Sequence, residues 1–460
     1  MLGPGEIFTL FFVTLGPLKV LGPFAAQTRE LAPSTLRGIA LRVFVLSLVA
    51  LLARRSPESR MNHHLRTPRL RNRLPALAAL LAASLCAGCA GAPERQARKQ
   101  EDLFAERRAQ DAARGEGAKR LVAQMLARAE AKARTPRATI DLLIISGGGD
   151  WGAFGAGVLK GWGRVAGEMA RPQFDAVTGV STGALIAPFA FLGDDASIER
   201  IVQLYRNPTL DIATSRGLLF FLPNNPSFYL LPGLERELRT ALDRGMLERI
   251  AAQEASGRLL LVNTTNIDLG DLHPWDLVAE AKASLAAGDP QRVHRILLAS
   301  AGIPAIFPAQ QIGPHLFVDG AITGNILYGA RVDQEQGVAA QWRAKYGRAP
   351  APRVRYWVIF NNQFRFPPQV TQARWPEIMS RATIMATQNA TVSAMRHLEA
   401  NAELTRLKYG MDVELRVMAV PESWVPPAAG TFQKEVMNAL ADLGEKMGAD
   451  PASWSNGVPD

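Results

Sequence analysis

The chain runs to 460 residues, 48% of them hydrophobic, with two cysteines and a formal net charge of +10. That charge does not describe a nucleic-acid binder: residues 1–75 hold 11 Lys/Arg against 3 Asp/Glu, a net +8, which leaves only +2 from residue 76 onward. No His/Cys cluster has metal-ligand spacing and both cysteines fall in one short motif, so the composition calls for no metal, no cofactor and no disulfide framework.

In chain order, Ile7 to Ala26 and Ile39 to Ala53 are apolar, interrupted by Lys19 and Arg42. The first is long enough to span a bilayer and the second is marginal. Residues 1–60 resemble the opening of MarC-type multi-pass inner-membrane proteins. Either translation starts at Met61, with 1–60 an upstream fragment, or the chain is a genuine fusion. From Met61 a basic stretch reaches Arg73, then Leu74 to Ala87 is apolar, and Gly88-Cys89 closes it. A charged start, a short apolar run and small residues make a secretory leader rather than a spanning helix. Leu85-Cys86-Ala87-Gly88-Cys89 resembles a bacterial lipobox, with Cys86 where leucine is commoner. That resemblance implies a signal peptide over 61–88, with Cys89 acylated as the mature N-terminus and the bilayer as its partner. Ala90 rather than Asp after it implies the bacterial cell envelope, at the outer membrane facing the periplasm. The competing reading is an ordinary leader cut after Ala90.

Residues 89–135 read as a charged helical tether. Ala92 to Lys132 is rich in Arg, Glu, Gln and Ala, and lacks a broad apolar stripe before Leu121. Gly115-Glu116-Gly117 is expected to interrupt the helix.

Asp141-Leu142-Leu143-Ile144-Ile145-Ser146 reads as a buried strand, running into Gly147-Gly148-Gly149-Asp150-Trp151-Gly152 and a helix of small residues. A glycine-rich turn opening a helix leaves backbone N–H groups accessible to an anion. Phe174 to Thr178 is a second strand, followed by Gly179-Val180-Ser181-Thr182-Gly183 and another helix. A serine on so tight a strand-to-helix turn is strained, and its neighbours at two residues either side must lack side chains. The next helix points its partly positive end at the serine oxygen. Leu316-Phe317-Val318 then carries Asp319 at a strand end, before Gly320-Ala321. A serine hydroxyl needs a base to take its proton, and Asp319 can fill that role.

These segments resemble the patatin-like phospholipase family over 141–333: G-x-G-x-x-G at Gly147, Gly149 and Gly152, G-x-S-x-G around Ser181, and D-G-[GA] at Asp319-Gly320-Ala321. Ala299 to Pro308 resembles that family's run before the acid, and Asn325 falls where the family often has an asparagine. The resemblance implies a nucleophile at Ser181, a proton acceptor at Asp319, and an oxyanion hole on Gly147, Gly148, Gly149, Asp150, Trp151 and Gly152. It further implies a lipid acyl hydrolase acting on membrane phospholipids or other acyl lipids; the alternative is a catalytically idle lipoprotein that binds lipid or an envelope partner.

Two other readings stay open. The glycine turn alone would suit a dinucleotide, which asks for an acid about 20 residues on, near Glu168 or Asp175. A hydrolase triad in the order Ser, Asp, His leaves only His397, within a helical stretch. Gly217 to Pro232 packs large apolar residues around prolines and reads either as an acyl-cleft wall or lid, or as ordinary packing. In 334–460, Val354 to Phe360 and Val413 to Val420 read as strands, Trp375 to Lys408 as a long helix, and Thr431 to Met447 as a final helix with Thr431 at its N-cap. Strands alternating with helices predict a three-layer α/β/α domain around a mostly parallel sheet, to which 334–460 belongs.

Overall fold

The computed structural model describes residues 95–135, 137–217, 225–329, 334–428 and 430–459. The MarC-like stretch, the leader and Cys89 lie outside the described residues, as does 218–224 of the apolar segment. Helix α1 (Gln100–Lys132) precedes β1 (Thr139–Ile145), and the glycine turn opens α2 (Gly152–Trp162). β2 (Ala176–Val180) leads through Ser181 into α3 (Thr182–Leu192), followed by α4 (Asp195–Arg206). Two short strands, β3 (Thr214–Ser215) and β4 (Tyr229–Leu230), pair with each other ahead of α5 (Pro232–Ala241) and α6 (Arg244–Ala251). Next come β5 (Leu259–Asn266), β6 (Asp271–Asp276), α7 (Leu277–Ala287), α8 (Gln291–Ser300), β7 (Gln310–Ile312) and β8 (His315–Asp319). The chain continues with α9 (Val338–Tyr346), β9 (Arg353–Phe360), α10 (Trp375–Tyr409), β10 (Val413–Ala419), α11 (Lys434–Gly448) and β11 (Ser455–Asn456).

The main sheet has the order β11-β10-β9-β1-β2-β5-β8-β7, with β6 also on β5. Its four interior pairings, from β10 to β5, are parallel; the pairings at its margins are antiparallel. Successive strand side chains point to opposite faces, and β1 shows the consequence. Leu143 and Ile145 enter a core with Phe154, Leu159 and Trp162 of α2, Phe189 of α3 and Leu440 of α11. Ile144 enters a separate core with Val358, Phe360, Leu415 and Val417, roofed by Met395 and Leu398 of α10. The result is three layers, α/β/α, around a mostly parallel sheet.

Two local expectations are corrected. The helix is unbroken through Gly115 and Gly117, and it is not a free tether. Asp175, just before β2, has no exposed surface and accepts from Arg128 and from Lys132 Nζ (2.6 Å), as well as from the Asp141 N–H (2.7 Å). Further along, Arg114 meets Asp271 at 2.8 Å and Glu106 meets His315 at 2.8 Å. These ties hold the helix along its length and outweigh the roughly 1 kcal/mol that each interior glycine costs. At the other end of the chain, Thr431 is not an N-cap; α11 starts at Lys434. Phe432 stands at φ 56° with its N–H donated to Asp150 Oδ2 (2.8 Å), so helical geometry begins only after it.

Candidate active site

Ser181 occupies the turn between β2 and α3 at φ 54° and ψ −123°, a conformation that side-chain-bearing residues rarely adopt. The turn is tight because β2 and α3 almost touch: a Cβ on Gly179 would collide with the Gly183 carbonyl, and one on Gly183 with the Ile145 carbonyl. Val180 and Thr182 are buried on either side, and the Thr182 hydroxyl pairs with the buried Tyr205 hydroxyl of α4. Asp319, at the end of β8, meets the serine there. Its Oδ2 accepts the Ser181 hydroxyl at 2.7 Å, and its Oδ1 accepts the Ala321 N–H at 2.8 Å. Gly320 must be small, since a Cβ would run into the Asn263 carbonyl. Ser181 and Asp319 are 6% and 2% exposed. Burial pushes the Asp319 carboxyl up to about 7, against the pull of the Ala321 N–H and the Ser181 hydroxyl.

A relay behind the serine carries no motif of its own. The Ser181 N–H donates to Ser300 Oγ (3.0 Å), and that hydroxyl donates to the Asn263 carbonyl (2.7 Å). Asn263 Nδ2 in turn donates to the Gly320 and Gly324 carbonyls (3.0 and 3.1 Å). Elbow, α8, β5 and the acid's turn are thus joined through buried groups. The sequence signals Ser300 only by its place in the run before the acid, and Asn263 in β5 by no motif at all.

The glycine turn is more committed than a bare row of donors. Gly147 donates its N–H to Asn325, at 3.0 Å to Oδ1, and a Cβ there would press on Ser181 Cβ. The Asp150 carboxyl is buried, which raises its pKa, and it turns to the Phe432 N–H. Trp151 packs edge-on against Trp424, ring centroids 5.1 Å apart. The Gly152 N–H returns to the Gly149 and Asp150 carbonyls. The Trp151 N–H returns to the Gly148 carbonyl (3.2 Å) and the Asp150 N–H faces its own carboxyl, whereas among the described residues no acceptor meets the N–H of Gly148 or Gly149.

The other candidates lie elsewhere. Asp175 stands at the start of β2 rather than at a strand end, locked by its two cations, and Glu168 is on an exposed turn beside Arg353 (3.4 Å). Neither can meet a ribose beside the glycine turn. His397 Nδ1 pairs with the Tyr328 hydroxyl at 2.8 Å and its Nε2 faces Asn401 at 3.3 Å, so both ring nitrogens are engaged away from Asp319. Of the apolar segment, Phe228 and Tyr229 donate their N–H groups to the Ala305 and Ile306 carbonyls (2.8 and 2.9 Å), which lays 228–229 along the run before the acid. Among the described residues no group of three or more His, Cys, Asp or Glu is placed to hold a metal, and no helix is long and apolar enough to cross a membrane.

Residues 143–330 match the family model described as Patatin-like phospholipase. No curated protein matches the chain. Among solved structures, VipD from Legionella pneumophila is similar at 11% identity and a TM-score of 0.32, over 70% of this chain and 68% of that one.

Proposed function

Residues 143–330 form a patatin-like phospholipase domain, and on that premise we propose that the protein is a serine acyl hydrolase that cleaves carboxylic esters of membrane lipids through Ser181 and Asp319. The observation that carries the dyad is the 2.7 Å contact of the Ser181 hydroxyl with Asp319 Oδ2, with no histidine among the hydrogen-bond partners of Asp319 in the described residues. Asp319 takes the hydroxyl proton as Ser181 Oγ bonds to the ester carbonyl carbon. The oxyanion that forms is held by the N–H groups of Gly148 and Gly149; losing one such donor typically costs roughly 10² to 10³ in rate. Collapse breaks the ester C–O bond, and the departing alkoxide takes the proton from Asp319. Water then attacks the acyl-serine with Asp319 again as base, releasing the fatty acid and restoring the hydroxyl.

Ser181→Ala, Asp319→Asn and the double variant should lose activity to a similar degree, on the order of 10³-fold or more, because the two groups act as one unit. Hydrolysis of short- and long-chain acyl esters measures this. Full activity in Asp319→Asn sinks the dyad. Absence of any Ser181-dependent turnover by the folded protein would replace the enzyme with an idle lipid-binding module.

The location we propose is the cell envelope, with the enzyme anchored through an acylated Cys89, facing the periplasm from the outer membrane. The support is the lipobox-like Leu85 to Cys89 and the Ala90 after it; two or more lipid chains give stable anchoring where one is marginal. Labelled palmitate should enter the protein expressed from Met61 and not its Cys89→Ser variant. A mature N-terminus other than Cys89 would leave an ordinary exported hydrolase.

A further inference from the structure

Helix α10 is much longer than the sheet it covers. Its 35 residues extend about 52 Å at 1.5 Å per residue, whereas the 8 residues of β9 extend about 27 Å. The C-terminal end is pinned at the start of β10, where Arg343 holds the Tyr409 and Gly410 carbonyls. Met395 and Leu398 sit in the core over β9 and β10, and Thr391 Oγ1 accepts from Asn325 Nδ2 (3.1 Å), beside the glycine turn. The first three turns of α10 therefore project past the sheet edge at which β1, β2 and β9 end and Ser181 stands.

That overhang exposes what a folded chain ordinarily hides. Ile378 and Ile384 are each 49% exposed and Met385 40%, and Val370 in the loop before the helix is 91% exposed. Ile378, Arg381, Ile384 and Met385 fall within about 120° of the helix circumference. The flank is cationic: residues 363–387 hold Arg365, Arg374 and Arg381 against Glu377 alone. The side chains of Arg365 and Arg374 are 68% and 75% exposed, with Glu422 and Glu377 as distant partners at 3.9 and 3.8 Å. Arg381 lies over the Phe366 ring and donates to the Pro367 carbonyl, which fastens the loop to the helix. An apolar stripe bordered by arginines suits the boundary between anionic headgroups and acyl chains.

We propose that this overhanging end of α10, with the loop before it, docks on an anionic phospholipid surface and holds the Ser181 edge of the sheet against it. Its purpose rests on the hydrolase reading, but its chemistry does not. The patch lies outside 143–330. The same helix carries its own control: Leu407 is 71% exposed but stands at the opposite end, by the start of β10.

In the full chain with Cys86→Ser and Cys89→Ser, a single cysteine introduced as Met385→Cys or Leu407→Cys takes a polarity-sensitive fluorophore. With vesicles of equimolar phosphatidylglycerol and phosphatidylcholine, the label at 385 should shift to the blue and brighten by about two-fold or more. It should respond less to pure phosphatidylcholine, and the label at 407 should stay unchanged. No shift at 385, or equal shifts at both positions, overturns the proposal. In the unlabelled chain, Ile384→Asp with Met385→Asp should lower turnover of vesicle phospholipid by about ten-fold while hydrolysis of a soluble short-chain ester is unchanged. Equal loss on both substrates also overturns it. A parent chain that cleaves no ester yet shifts at 385 would remove the hydrolase and leave the docking surface.

Discussion

At the scale of single residues, Asp319 carries opposing demands. In the proposed mechanism it must be ionised to take a proton, yet burial raises its carboxyl from the ordinary 3.8 to about 7. The folded state therefore binds this proton more tightly than the unfolded chain. The stability the group contributes is complete below pH 3.8 and is lost as pH rises through about 7. Activity runs the other way. We predict that kcat/KM on a soluble ester climbs as pH passes through 7, and that Asp319→Asn flattens the fall in melting temperature across that window. A rate profile already level from pH 5 would mean that Asp319 ionises freely. On the same proposal Ser300 is expected to be a positioning residue, acting through the backbone of Ser181. Ser300→Ala strips the acceptor from the Ser181 N–H and the donor from the Asn263 carbonyl, at about 1–3 kcal/mol for buried groups left unpaired. The elbow should loosen, so kcat is expected to fall about ten-fold with KM within about two-fold. A change confined to KM would assign Ser300 to substrate binding instead.

At the scale of elements, α1 shows how charge can dock a helix that lacks an apolar face. Only Ala118, Val122 and Ala129 are buried along it, too narrow a stripe to hold 33 residues by burial alone. Its hold at β2 comes from Arg128 and Lys132 closing on Asp175, a carboxylate with no exposed surface. Removing the partners of a buried charge leaves it uncompensated, which typically costs about 3–5 kcal/mol. Arg128→Ala with Lys132→Ala should therefore shift the urea midpoint strongly downward. A midpoint unchanged within error would mean that the ties of Arg128 and Lys132 to Asp175 contribute nothing to stability. The crossing of α2 and α11 uses backbone instead: Gly444 lets α11 lie on the Phe154 carbonyl, where any Cβ would collide.

At the scale of the whole molecule, chain order and spatial order diverge. β9 lies directly beside β1, and β10 beside β9, so residues far beyond the acid complete the sheet on the open side of the strand that leads into the glycine turn. Asn361, just after β9, accepts the Gly155 N–H (3.0 Å) and donates to the Ser146 carbonyl (2.9 Å), while Asp150 leans on Phe432. A chain ended after residue 333 would expose the whole hydrogen-bonding edge of β1 and strip the core around Ile144 of α10. It should be insoluble or lack a cooperative melt, even though the family match stops at 330. A soluble, active truncation would show that the 143–330 segment folds on its own.

The elbow at Ser181, the glycine turn and the acid at a strand end were legible in the sequence because each is a local solution to a local constraint. Glycines must flank a serine where strand and helix meet, and a turn that leaves backbone N–H groups bare must lack side chains. Short runs of apolar residues likewise marked β1, β9 and β10, and alternation of strands with helices announced the three layers. Partnership between distant residues was not legible. The claim of Asn325 on Gly147, the Ser300–Asn263 relay, the docking of α1 through Asp175 and the delay of α11 to Lys434 each depend on groups brought together across more than 30 residues of chain. A hydrogen bond is set by distance and angle in space, which spacing along the sequence does not encode. Local backbone chemistry thus wrote the motif into the sequence; only the tertiary structure decided which of its donors remain free.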